Sequence, residues 1–257
     1  MPGTGTQPIF PGGTAVTRLS VYSDEASDGI AGGTPHLHTA STEAYVVVSG
    51  RGAIQTITPD GFLETELWPG SVVWFTPGTI HRAVNHGDLE VLVVMSNAGL
   101  PEAGDAVMTF PEHVTGDPDA YLANAQLPPP DSPESELLDA ARRRRDLGVE
   151  GFLVLKEAAD AGGAGFEAAL DRFYAHAARI VEPRAAGWRE IWNSTVARAT
   201  WHTDTALTAL ANGESRSLSE AALAQVPPSP GIKKFGMCGR LRTYNVLDPL
   251  NRVPVLS

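Results

Sequence analysis

The sequence predicts a mainly β protein with an α-helical extension, and three observations carry that expectation. Between residues 15 and 107, short runs rich in Val, Ile, Leu and aromatic residues alternate with Gly, Pro, Asp and Asn. A proline-rich stretch follows, and beyond it apolar residues recur at three- and four-residue spacing. Closely spaced turn signals between short apolar runs indicate an all-β sandwich or barrel, and the change of period marks helices.

Runs at 17–22, 44–48, 53–57, 71–75 and 91–95 predict strands, and residues 1–110 are expected to form one barrel. Residues 111–130 hold Gly116-Asp117-Pro118 and Pro128-Pro129-Pro130, which predicts a linker with neither ladder nor helix. A helical extension is expected over 131–225. Its first helix opens on a capping-box pattern, Asp131-Ser132-Pro133-Glu134, ahead of Leu137, Leu138 and Ala141. Two further helical patterns cover 166–181 (Leu170, Phe173, Tyr174, Ala177) and 185–210 (Trp188, Ile191, Trp192, Thr195), with Gly162 to Gly165 breaking the run. Residues 226–257 form a basic C-terminal tail, with Lys233, Lys234, Arg240, Arg242 and Arg252 against Asp248, expected to pack on the body or on a neighbouring chain. No internal repeat is visible.

With 42% hydrophobic and 19% charged residues, the 257-residue chain suits a globular protein. Its net charge of -11 opposes binding to a phosphate backbone, so nucleic acid is not an expected partner. Cys238 is the single cysteine and requires no oxidising compartment. No run approaches the ~20 apolar residues of a membrane span, and no apolar segment follows a basic start, so a cytoplasmic location without membrane contact is expected.

Two short stretches carry the chemistry. The first contains His36, Leu37, His38, then Glu43 and Gly50; the second runs from Gly70 through Thr76-Pro77-Gly78 to His81 and Asn85. On a strand, His36 and His38 project to one face. Three imidazoles and one carboxylate suit a divalent transition metal, Fe, Mn, Ni, Cu, Co or Zn, with room left for water or substrate.

These stretches resemble the two motifs of the cupin superfamily. His36, His38, Glu43 and Gly50 match the first in type and spacing, and Gly70, Gly78, His81 and Asn85 match the second. Two turn positions depart. Gly33 stands closer to the histidines than the family's leading glycine, with Gly29 nearer the expected distance, and Thr76 takes the family's proline position with Pro77 after it. The resemblance implies a double-stranded β-helix (jelly-roll) barrel, a metal held by His36, His38, Glu43 and His81, a small-molecule substrate and a homodimer. A shell of this composition resembles that of quercetin dioxygenases. Oxygenase chemistry is therefore placed ahead of a non-oxidative isomerase, epimerase or lyase on a sugar-like substrate, and of a non-catalytic binder. The first 110 residues contain Arg18, Arg51 and Arg82 and no lysine, which disfavours a phosphorylated substrate.

Tyr45, Gln55 and Trp74 are candidate substrate contacts if they point into the barrel, with core packing the competing role for Tyr45 and Trp74. Trp188, Trp192 and Trp201 are read as packing residues. Arg142 to Arg145 are read as a solvated helix face, and Cys238 has no neighbour that would make it a nucleophile.

Overall fold

The computed structural model describes residues 8–231 and 233–248; Arg252 of the tail lies outside them. Two long strands organise the barrel. β3 (Glu43–Thr58) and β6 (Ile80–Met95) pair antiparallel along their full length, which merges 44–48 with 53–57 into one bent strand. The bend falls at Gly50, whose φ is 77° and whose Cβ would collide with the Asp88 carbonyl; register shifts between Val47 and Gly52 accompany it. β4 (Gly61–Leu67) pairs with the second half of β3, and β5 (Val72–Phe75) with its first half. β1 (Ala15–Val21) pairs with the second half of β6, while β2 (His36–His38) lies between β6 and β7 (Ala106–Met108). The result is an antiparallel sheet rolled into a jelly-roll barrel. Leu19, Tyr45, Val47, Ile54, Phe75, Ala83, Val91 and Met95 fill its interior.

Two strands from the tail extend this sheet. β9 (Gly239–Thr243) pairs with β1, and β8 (Lys234–Phe235) pairs with β9. Lys233 reaches Ser20 and Glu90, and Arg240 reaches Glu134 of the helical region. Opposite charges thus seat the basic segment on an acidic body.

Residues 111–130 differ from the expected linker. α1 (Glu112–Thr115) and α2 (Pro118–Ala125) lie within them, because Asp117 caps α2 through the amides of Asp119 and Ala120, and Pro118 stands at its first position, where no amide hydrogen is needed. α3 (Glu134–Ala161) starts where the capping-box pattern points, but Pro133 occupies the N-cap without a side-chain cap bond, so Asp131 does not cap it. α4 (Gly163–Trp192) runs through Pro183. Burial of Phe166, Leu170, Phe173, Ala177, Ile180, Val181 and Trp188 outweighs the roughly 3 kcal/mol that an internal proline costs. A π-turn over Asn193–Ala197 then leads into α5 (Arg198–Ala211), which buries none of its residues.

The helices cover the outer face of the barrel. Leu37, Ile57, Ile80 and Val107 turn outward into one core with Phe152, Leu155, Phe166 and Phe173. α3 comes close because Gly148 and Gly151 face the barrel: a Cβ on Gly151 would stand 2.1 Å from the Thr109 carbonyl oxygen, and Thr109 donates to the Gly148 carbonyl at 2.8 Å. The Arg142 to Arg145 run is not a solvated face. Arg145 is 2% exposed and donates to the carbonyls of Asp24 and Glu25; Arg144 donates to those of Ala125 and Gly236. Four consecutive residues wrap around the cylinder, so two of them meet the barrel loops. Trp188 is buried and donates to the Ala103 carbonyl, whereas Trp201 is exposed. Among the described residues no helix is long and apolar enough to cross a membrane.

Candidate metal centre

Strand geometry brings the motif residues together. His36 and His81 face each other directly across the β2–β6 pair, His38 projects from β2 on the same side, and Glu43 begins β3 opposite Phe75 of β5. All four are buried, and their candidate ligand atoms lie within 4.8 Å of one another. The His36 and His81 ring centroids are 4.2 Å apart, and those of His36 and His38 5.2 Å.

The hydrogen bonds orient the rings. Nδ1 of His36 lies 2.9 Å from the Thr34 carbonyl oxygen, and Nδ1 of His81 lies 3.1 Å from that of Thr79. Nδ1 of His38 faces Oδ2 of Asp105 at 3.5 Å, an electrostatic contact without hydrogen-bond geometry. Each ring thus turns Nδ1 to an acceptor and leaves Nε2 for the centre. A carboxylate or carbonyl behind a ligating imidazole fixes its tautomer in this way. Asp105 is fully buried and held by the amides of Thr39, Ala40 and Ser41 and the Thr39 hydroxyl.

Charge at the centre follows from burial and close approach. Nε2 of His38 and of His81 each lie 3.1 Å from Glu43 Oε2, yet Glu43 Oε2 and His81 Nε2 have no hydrogen-bond partner of acceptable geometry. Burial and the neighbouring imidazoles hold His36 well below the ordinary histidine range. Burial also disfavours a charge on His38, but the Asp105 and Glu43 carboxylates outweigh it and raise His38 to about 9. Burial would raise Glu43, and the two imidazoles instead hold it well below the usual carboxylate range. Convergent nitrogens, one anionic oxygen and buried polar atoms lacking partners form a donor set compatible with a divalent metal ion.

A cavity of about 440 Å³ opens beside this cluster between β4 and β5. Its hydroxyl lining is Thr56, Thr58, Thr65, Thr76 and Thr79, with Trp74 at its rim; Ile54, Leu63 and Phe75 are among its apolar walls, and among the described residues no charged side chain lines it. Thr56 stands opposite His81 in the β3–β6 register. Phe75 joins the two regions, lining the cavity while its ring centroid lies 4.1 Å from that of His81.

The three candidate contacts separate. Tyr45 points inward and is fully buried, its hydroxyl 3.6 Å from Cys238 Sγ; burial pushes the Tyr45 phenol well above its ordinary value and the Cys238 thiol up to about 12. Gln55 does not point into the barrel. It pairs with Arg82, next to the inward His81, so both face outward, where Gln55 donates to Glu64 and Arg82 bonds to Asp28. Trp74 also points outward, opposite Ala44, and is 68% exposed, although it borders the cavity mouth. Asp105 and the threonine wall carry no recognisable signal in the sequence; the only available clue is that His38, like any ligating histidine, requires an acceptor at Nδ1.

A family model described as a cupin domain matches residues 28–96. No curated protein matches the chain. Among solved structures, Pac13, a nucleoside dehydratase, is 18% identical over 40% of this chain and 71% of its own, with a TM-score of 0.29; a Streptomyces Pac13 variant with uridine matches to the same extent, over 70% of that chain. The capsular polysaccharide assembling protein CapF from Staphylococcus aureus is 22% identical over 32% of this chain, which spans 22% of CapF, with a TM-score of 0.24. A conserved protein with a double-stranded β-helix domain from Klebsiella pneumoniae is 18% identical over 37% of this chain and 78% of its own, with a TM-score of 0.26. At these identities the likeness does not extend to chemistry.

Proposed function

The strand-rich part of the chain is a cupin domain, and on that premise we propose that the protein is a metal-dependent enzyme acting on a small organic molecule by oxygenase-type chemistry. One observation carries the reading: four buried donor atoms converge within 4.8 Å beside a cavity of substrate size. His36, His38, Glu43 and His81 would hold the metal. When bound, it would supply a Lewis-acidic centre with open positions for substrate and dioxygen. The chain's own contribution is to hold three imidazoles in one tautomer, to keep the cluster dry under Phe75, and to present a wall of hydroxyl groups to the incoming molecule.

The test uses protein purified without a histidine tag. Elemental mass spectrometry is paired with oxygen uptake over phenols, flavonols and diketones. Oxygen consumption that depends on one of these compounds supports the oxygenase. Metal-loaded protein that consumes none contradicts it and moves the assignment to a non-oxidative isomerase, epimerase or lyase, or to a binder.

We also propose a homodimer. Val72 and Trp74 of β5 are 52% and 68% exposed, and with Val48 they leave apolar surface along a strand edge. Light scattering is expected to give the mass of two chains; a monomer mass contradicts the proposal.

A further inference from the structure

We infer a second ligand site, in the helical region, that takes a small zwitterion: an α-amino acid with an apolar side chain. It goes beyond the metal-centred reading and shares no residue with it. A cavity of about 240 Å³ lies between α1, α3 and α4. An apolar cavity of roughly 150 Å³ already accepts benzene, so this one has room for a single ring or a branched aliphatic chain. Phe110, Leu155 and Phe173 wall it, and all three are buried. Ala169, Arg172, Phe173 and His176 follow one another at three- and four-residue spacing, so one face of α4 runs along the cavity and carries both apolar and ionisable groups.

Charges of both signs border the same cavity. Glu112, the first residue of α1, and Arg172 both line it and are both exposed. Their nearest atoms, Glu112 Oε1 and Arg172 Nε, stand 3.6 Å apart, too far for a hydrogen bond. Among the described residues, the terminal nitrogens of Arg172 and the second oxygen of Glu112 have no partner. A pair this loose and this exposed contributes little to stability. It leaves a planar fork of N–H donors that matches a carboxylate, beside an oxygen that accepts from an ammonium. An anion seated on Arg172 would meet the repulsion of Glu112, and a cation seated on Glu112 that of Arg172. A molecule with both charges on one carbon satisfies both, while its side chain enters between Phe110, Leu155 and Phe173. His176 adds a polar group to the lining: the Thr115 hydroxyl lies 3.1 Å from its Nδ1, which orients the ring and leaves Nε2 without a hydrogen bond among the described residues.

The experiment is a ligand-observed NMR titration of the full chain with L-phenylalanine and three probes that each lack one of its features: 3-phenylpropionate without the ammonium, 2-phenylethylamine without the carboxylate, and glycine without the apolar side chain. L-phenylalanine is expected to bind with a Kd of roughly 1 mM, as suits a ligand of its size, and each of the other three about 10-fold more weakly. Arg172→Gln and Glu112→Gln change exposed side chains, so both variants are expected to fold, and each is expected to weaken L-phenylalanine about 10-fold. Glu112→Gln also removes the repulsion of an anion and is expected to strengthen 3-phenylpropionate. Any of the three probes bound as tightly as L-phenylalanine overturns the zwitterion as the ligand class. L-phenylalanine bound with wild-type affinity by Arg172→Gln overturns this cavity as the seat, including the case in which the amino acid is held by the metal centre instead. No saturable binding of L-phenylalanine or of the smaller L-leucine up to about 10 mM overturns the site altogether.

Discussion

Replacing His81 with alanine is expected to remove the proposed metal and the proposed activity together. His81 faces His36 across the β2–β6 pair, and its Nδ1 is already committed to the Thr79 carbonyl, so Nε2 is the atom it offers the centre. With one of four donors gone, His36, His38 and Glu43 remain. The expected loss of affinity exceeds the roughly 10–100-fold that follows removal of an outer partner. His81 is also fully buried and packs against Phe75, so the alanine variant leaves a hole and costs stability of its own, on the order of 2–4 kcal/mol. His81→Gln keeps most of the volume and separates the effects: it is expected to fold and still hold no metal. Stoichiometric metal in either folded variant contradicts the assignment.

Asp105→Asn is expected to weaken metal binding about 10–100-fold while the four ligands stay in place. The two oxygens of Asp105 do different work. Oδ1 accepts from the Thr39 amide and hydroxyl and the Ala40 amide, which fixes the turn after β2; Oδ2 accepts from the Ser41 amide and faces His38 Nδ1. Thr39→Val removes the hydroxyl's bonds to Oδ1 and to the Asp105 carbonyl but leaves the amide bonds in place, and is expected to lower stability by about 1 kcal/mol without changing metal affinity. In the zinc-loaded wild type, nitrogen NMR is expected to show His38 protonated at Nδ1, and Asp105→Asn is expected to alter that signal. Unchanged affinity and an unchanged His38 signal would mean that Asp105 only anchors the turn.

The gathering of His36, His38, Glu43 and His81 was legible because it depends on local rules. Alternation along β2 places His36 and His38 together, and a turn before His81 delivers the third imidazole. The jelly-roll followed by helices was legible for a related reason, since the change of hydrophobic period survives uncertainty about where elements end. What failed was parity carried across a bulge. Tyr45 and Gln55 are an even number apart, and alternation alone would place them on one face. The register shifts between Val47 and Gly52 turn Gln55 outward while Tyr45 stays inside. Trp74 stands one position from Phe75, the residue facing Glu43, and so points outward at the mouth of the cavity. Asp105 was illegible for a different reason: it belongs to no motif, and only the fold carries it to His38. The helices within 111–130 were hidden by their prolines, which at a first helical position favour the helix they were expected to prevent.

His36, His38, Glu43 and His81 are expected to form a metal site in the native protein. The most direct test is elemental mass spectrometry of the tag-free wild type beside His81→Gln, both confirmed folded by circular dichroism. The account predicts a transition metal in stoichiometric amount in the wild type and its loss in the variant. Folded wild-type protein that holds no metal, and takes up none from a solution of divalent manganese, iron, cobalt, nickel, copper or zinc, would contradict it.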